Sequence, residues 1–119
     1  MMRHMDPNWE VTAQDVKARI DAGEALVLID VRQPEELEIC GIEAAHLFPL
    51  PNLKSSIGEI AALAEGRAII TFCHHGHRSV QAAVFLREAG IGRVHSMAGG
   101  IDAWSHGRFE CAAILTLTA

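Results

Sequence analysis

Nearly continuous apolar runs alternate with segments of helical spacing along this chain. Ala25-Leu26-Val27-Leu28-Ile29 and Ala68-Ile69-Ile70-Thr71-Phe72 are rich in β-branched residues, as expected of strands buried on both faces. Trp9-Glu10-Val11 and Arg93-Val94-His95-Ser96-Met97 predict shorter strands. His46-Leu47-Phe48-Pro49-Leu50-Pro51 predicts another, and its two prolines put it at an edge or in an irregular position. Thr12 is a good N-cap for an amphipathic helix through Ile20, with Val16 and Ile20 on one face and Gly23 as C-cap. Pro34 opens a short helix through Ile39 that Gly41 stops, with Glu35 and Glu36 as a solvated, dipole-compatible start. Asn52 is expected to cap a helical region carrying Ile57, Ile60, Ala61 and Leu63, ending at Glu65-Gly66. A further helix runs from Ser79 to about Glu88 and ends at Gly90. Gly99-Gly100 then turns the chain into Ile101-Asp102-Ala103-Trp104, where Ile101 and Trp104 read as core. Strands alternating with helices predict an α/β fold with a mainly parallel sheet.

At 119 residues the chain fits one domain, expected over residues 8–106 with a flexible tail at 1–7 and a second tail at 107–119. The apolar Cys111–Ala119 end calls for burial against a surface that the pattern does not name. A net charge of −5 with no basic stripe argues against a nucleic-acid partner. No apolar run approaches a membrane span, so no membrane partner is expected. Three widely spaced cysteines, Cys40, Cys73 and Cys111, do not form a disulfide framework and suit a reducing, cytoplasmic setting.

The chemistry concentrates in Cys73-His74-His75-Gly76-His77-Arg78-Ser79, between a buried strand and a helix start. Backbone N–H groups at a helix N-terminus lack intrahelical partners and favour negative charge, so a thiolate or bound anion is stabilised there. Gly76 permits the positive φ or close approach that such a cradle needs. Arg78 orients an anion or braces the loop, and Ser79 serves as helix N-cap or first-turn residue and as an auxiliary donor. His74, His75 and His77 read as a rim whose positive charge rises as pH falls, not as a metal site, because so short a turn does not aim these side chains at one tetrahedral point. Asp30 and Arg32, at the end of a buried strand, read as a structural ion-pair set holding neighbouring loops. Cys40 is either a resolving thiol for Cys73 or, the plainer reading, a small packed side chain.

Taken in order, several of these stretches resemble the rhodanese family of single-domain sulfurtransferases. They are Leu28-Ile29-Asp30-Val31-Arg32 with Pro34-Glu35-Glu36, the Gly41–Pro51 segment, the Cys73–Arg78 loop, and Met97-Ala98-Gly99-Gly100-Ile101-Asp102-Ala103-Trp104. The resemblance implies a small α/β domain whose parallel sheet has helices on both faces, and a six-residue active loop opened by a nucleophilic cysteine. Cys73 would then take a sulfane sulfur from a small anionic donor such as thiosulfate, hold it as a persulfide, and pass it to cyanide, a thiol or a protein sulfur acceptor. No cofactor is implied. The rival within the resemblance is a cysteine phosphatase or arsenate reductase, whose loop places five residues between cysteine and arginine; here four separate Cys73 from Arg78. Sulfur-carrier and regulatory modules of the family are further alternatives, although inactive members typically lack the loop cysteine.

Overall fold

The computed structural model describes residues 9–38 and 41–107. Five strands form one sheet: β1 (Glu10–Val11), β2 (Val27–Asp30), β3 (His46–Leu47), β4 (Ile69–Phe72) and β5 (Val94–Met97). Their order across the sheet is β1-β5-β4-β2-β3, and every pairing is parallel. Among the described residues three α-helices lie between strands, α1 (Ala13–Asp21), α2 (Ile57–Ala64) and α3 (His77–Glu88), and a fourth, α4 (Gly100–His106), follows β5. The two apolar runs became the adjacent interior strands β2 and β4, the positions in which a strand is covered on both faces.

Side chains alternate through the sheet and build two cores. Val27, Ile29 and Ile69 pack with Ile60 of α2 and Ala82, Ala83 and Leu86 of α3. Leu28, Ile70 and Phe72 point the other way, against Ala13 and Val16 of α1 and Ile101 and Trp104 of α4. Both faces of β2 and β4 are therefore buried, which accounts for their unbroken apolar character. β3 pairs only with β2 and closes one edge, where the prolines that follow cost no ladder bond.

Local expectations met different outcomes. The Thr12 side chain accepts from Asp15 N at 3.0 Å, and Gly23 follows the end of α1 with φ +88°. Ile20, by contrast, is exposed, because only Ala13 and Val16 of α1 reach the sheet. Asn52 does not cap α2 with its side chain; it ends a 3-10 turn, Leu50–Asn52, and its carbonyl accepts from Ser55 Oγ and Ser56 Oγ. Cys40, Cys111 and the apolar tail from 108 onward lie outside the described residues.

Candidate active site

β4 ends at Phe72, in the middle of the sheet, so the next residue emerges where two crossover connections diverge. That residue is Cys73, 1% exposed and packed into the core beneath its own loop. Three donors or hydroxyls surround its sulfur. Gly76 N–H reaches Sγ at 3.1 Å, Ser79 N–H at 3.4 Å, and Ser79 Oγ lies 3.5 Å away. Gly76, at φ +113°, turns the chain so that the helix begins at His77. Of the two placements the sequence allowed for Ser79, N-cap or first turn, the structure takes the second, because the helix starts two residues earlier than expected. Ser79 sits in the first turn of α3, fully buried, with its side chain directed back toward Cys73. His77 and Arg78 likewise belong to the helix.

Two of the loop carbonyls are held by α4. Cys73 O accepts from Ile101 N at 2.7 Å and His74 O from Asp102 N at 3.1 Å, both in the first turn of α4. With those carbonyls held on α4, the Gly76 and Ser79 amides face the sulfur, which makes the loop a place for negative charge. Gly100 lets α4 approach this closely: a Cβ there would overlap Cys73 O and lie 2.5 Å from His74 O. Gly100 read in sequence as a turn glycine is thus a packing requirement of the loop itself.

Arg78 braces the loop. Its guanidinium donates to Glu36 Oε1 at 2.9 Å and Oε2 at 3.1 Å, and Glu36 also accepts from Gln33 N at 2.8 Å. Glu36 is therefore not the solvated helix-start residue expected; 42 positions separate the partners, and no local spacing announces the pair. A second pair stands behind it. Arg32 Nε and a terminal nitrogen fork onto Asp30 at 2.9 and 2.8 Å, both residues buried, while Arg32 also reaches Glu36 O at 3.4 Å. Asp30, Arg32, Glu36 and Arg78 thus form a continuous polar connection from the end of β2 to the Cys73 loop.

The hydrogen bond from Arg78, opposed by partial burial and assisted by Gln33 N–H, holds the Glu36 carboxyl below its ordinary value of 4.5. The same bond raises the Arg78 guanidinium further. Because the folded carboxyl is the more acidic, the latch stabilises the fold above that ordinary value and is lost as pH falls through the lower, folded one. Both side chains reach solvent, which limits the contribution to about 1 kcal/mol or less. Glu36→Gln is expected to lower stability by that amount at pH 7, with the difference from the parent closing below about pH 4. Denaturant unfolding at the two pH values checks it.

The three histidines are exposed. The His74 and His75 rings stack at 4.1 Å, and His75 Nδ1 lies 3.8 Å from Asp102 Oδ2. Among the described residues, no three His, Cys, Asp or Glu side chains converge as a metal site. Two buried hydroxyls complete the surroundings. Ser96 Oγ of β5 is 2.7 Å from Ser79 Oγ, and Thr71 Oγ1 donates to Ser79 O at 2.8 Å. Sequence reasoning did not single out Ser96 or Thr71, because only the β4–β5 register brings them together.

The family profile described as "Rhodanese-like domain" matches residues 12–106. The chain belongs to the rhodanese family. A sulfurtransferase of Allochromatium vinosum is 32% identical over 99 residues, covering 82% of this chain and 90% of that protein. A Mycobacterium tuberculosis protein named "Probable adenylyltransferase/sulfurtransferase MoeZ" is 35% identical over 95 residues, 80% of this chain. This rhodanese domain spans 24% of that relative's length. Among solved structures, a thiosulfate sulfurtransferase from Pseudomonas aeruginosa superposes with a TM-score of 0.78 at 25% identity, over 88% of this chain and 20% of that one. The all-parallel sheet and its two helical layers are thus the rhodanese fold. No described helix is long and apolar enough to cross a membrane.

Proposed function

We propose that this domain is a sulfurtransferase in which Cys73 carries a sulfane sulfur as a persulfide. The observation that carries this reading is the set of donors converging on one buried sulfur, Gly76 N–H and Ser79 N–H, at the start of a 12-residue helix. The Cys73 thiolate attacks the outer sulfur of a donor such as thiosulfate. The S–S bond of the donor breaks, and sulfite leaves with the electron pair. The resulting Cys73–S–S⁻ places a negative terminal sulfur among the loop amides, which are already oriented and need no reorganisation. A thiophilic acceptor (cyanide, a thiol or a protein sulfur acceptor) then attacks that terminal sulfur, and the departing Cys73 thiolate is ready for another cycle.

Gly76 and the amides form the cradle in this reading, while Arg78, committed to Glu36, braces the loop. His74, His75 and His77 form the rim past which an anionic donor enters. The short Cys73–Arg78 spacing and the forked Arg78–Glu36 pair both favour sulfur over phosphate as the transferred group.

The test is intact-protein and peptide mass spectrometry after exposure to thiosulfate. A gain of one sulfur atom located on Cys73, discharged by cyanide as thiocyanate, is the expected result. No gain with thiosulfate or a low-molecular-weight persulfide, or a gain elsewhere in the chain, overturns the proposal.

A further inference from the structure

Behind the cradle lies a buried hydroxyl pair whose proton arrangement is determined by the absence of alternatives. Val94 and Ser96 of β5 share the face that packs on α3, and Val94 belongs to that apolar core. Ser96 is 0% exposed in this setting. Its Oγ lies 2.7 Å from Ser79 Oγ, its hydrogen-bond partner among the described residues. Ser79 Oγ, also 0% exposed, has two further neighbours, Gly76 O at 3.2 Å and Cys73 Sγ at 3.5 Å.

A buried hydroxyl proton left without an acceptor is costly, and the acceptor within reach of Ser96 is Ser79 Oγ. Ser96 therefore donates and Ser79 accepts. The proton of Ser79 is then free for Gly76 O or for the sulfur. When Cys73 is a neutral thiol, its S–H donates to Ser79 Oγ, and the Ser79 proton rests on Gly76 O. When the sulfur is negative it becomes the stronger acceptor, and rotation about the Ser79 Cβ–Oγ bond delivers the proton to it. Were the Ser79 proton tied to Ser96 instead, the sulfur would have only the two amides. Thr71 Oγ1 anchors the Ser79 carbonyl at 2.8 Å, so the residue keeps its place while its hydroxyl turns.

We propose that Ser96 is a positioning residue for sulfur transfer: by donating to Ser79 it directs the Ser79 proton away from itself and polarises that hydroxyl, which then donates more strongly to negative sulfur on Cys73. This rests on the reading of Cys73 as the reactive sulfur and extends it to a residue on another strand, 23 positions away by number. Ser96 acts only through Ser79.

The experiment follows the rate of Cys73 alkylation by iodoacetamide against pH, a readout that requires no sulfur donor. Failure of the persulfide assay and failure of this inference are thereby distinguishable. Ser96→Ala is expected to move the profile upward by about half to one pH unit, with Ser79→Ala moving it at least as far. The double variant is expected to match Ser79→Ala, because the two effects are one. Ser96→Thr and Ser96→Val have the same shape and differ in the hydroxyl. The former should keep the parent profile and the latter should shift it, which separates the hydroxyl from packing if Ser96→Ala folds poorly. Arg78, Glu36, His74, His75 and His77 are untouched in every variant, so their charges cancel in the comparison. An unmoved profile in both Ser96→Ala and Ser96→Val, or additive shifts in the double variant, overturns the proposal.

Discussion

Gly100→Ala is expected to lower stability by about 3 kcal/mol and to reduce sulfur transfer by at least about tenfold, although no atom of Cys73 or its donors is changed. Two costs combine. Gly100 has φ +59°, in the left-handed region that a residue with a Cβ enters at about 1–2 kcal/mol. The added methyl also overlaps Cys73 O and lies 2.5 Å from His74 O, and these are backbone atoms that have no rotamer to yield. Relief requires α4 to withdraw, which lengthens the Ile101 N–H bond to Cys73 O and the Asp102 N–H bond to His74 O. Once those carbonyls are released, the inward orientation of the loop amides is no longer enforced. Gly58→Ala is the matched control, since a Cβ in α2 meets nothing within 4 Å and its effect should be neutral or slightly stabilising. Thermal unfolding together with thiocyanate formation measures both parts. A Gly100→Ala protein with parental melting and activity would show that α4 yields more easily than its backbone contacts imply.

Asp30→Asn is expected to be destabilising on a similar scale, about 3 kcal/mol, or roughly 10 °C in melting temperature for a domain of this size. Asp30 and Arg32 are 1% and 3% exposed. The carboxylate accepts Arg32 Nε, a terminal guanidinium nitrogen and the Arg32 backbone N–H at 2.9, 2.8 and 3.0 Å. An amide cannot match three charge-assisted bonds, and half of it presents donors toward a guanidinium. Removing one member of a buried pair leaves the other charge desolvated with its best partner gone, which is why the loss exceeds that of the exposed Lys17–Asp21 pair. The effect should also reach the active loop. Arg32 contacts Glu36 O, and Glu36 holds Arg78, so loosening Arg32 weakens the brace on the Cys73 loop. The expected pattern is a large fall in stability with a smaller fall in sulfur transfer, measured on protein still folded at the assay temperature. Unchanged denaturant unfolding would contradict it.

Much of this molecule could be read from the chain because it depends on neighbours in sequence. Unbroken apolar runs at 25–29 and 68–72 identify doubly buried strands, since only strands covered on both faces lose their polar alternation. A cysteine between such a strand and a helix start, with a glycine three residues later, brings a sulfur beside unpaired amides because helix-start amides are local geometry. The Asp30–Arg32 pair was similarly within reach at a separation of two.

What tertiary structure alone decided lies across sequence distance. Glu36 became the partner of Arg78 because β2 and β4 are adjacent, bringing the segments that follow them together. Gly100 is a demand of close backbone approach, and Ser96 faces Ser79 through strand register; neither leaves a periodic or compositional trace. The start of α3 at His77 was decided by a positive φ at Gly76, which residue identity permits but does not dictate. Local propensity thus determined that a cysteine sits between a buried strand and a helix start, while contacts across the sheet decided which groups hold its loop and which hydroxyls lie near its sulfur.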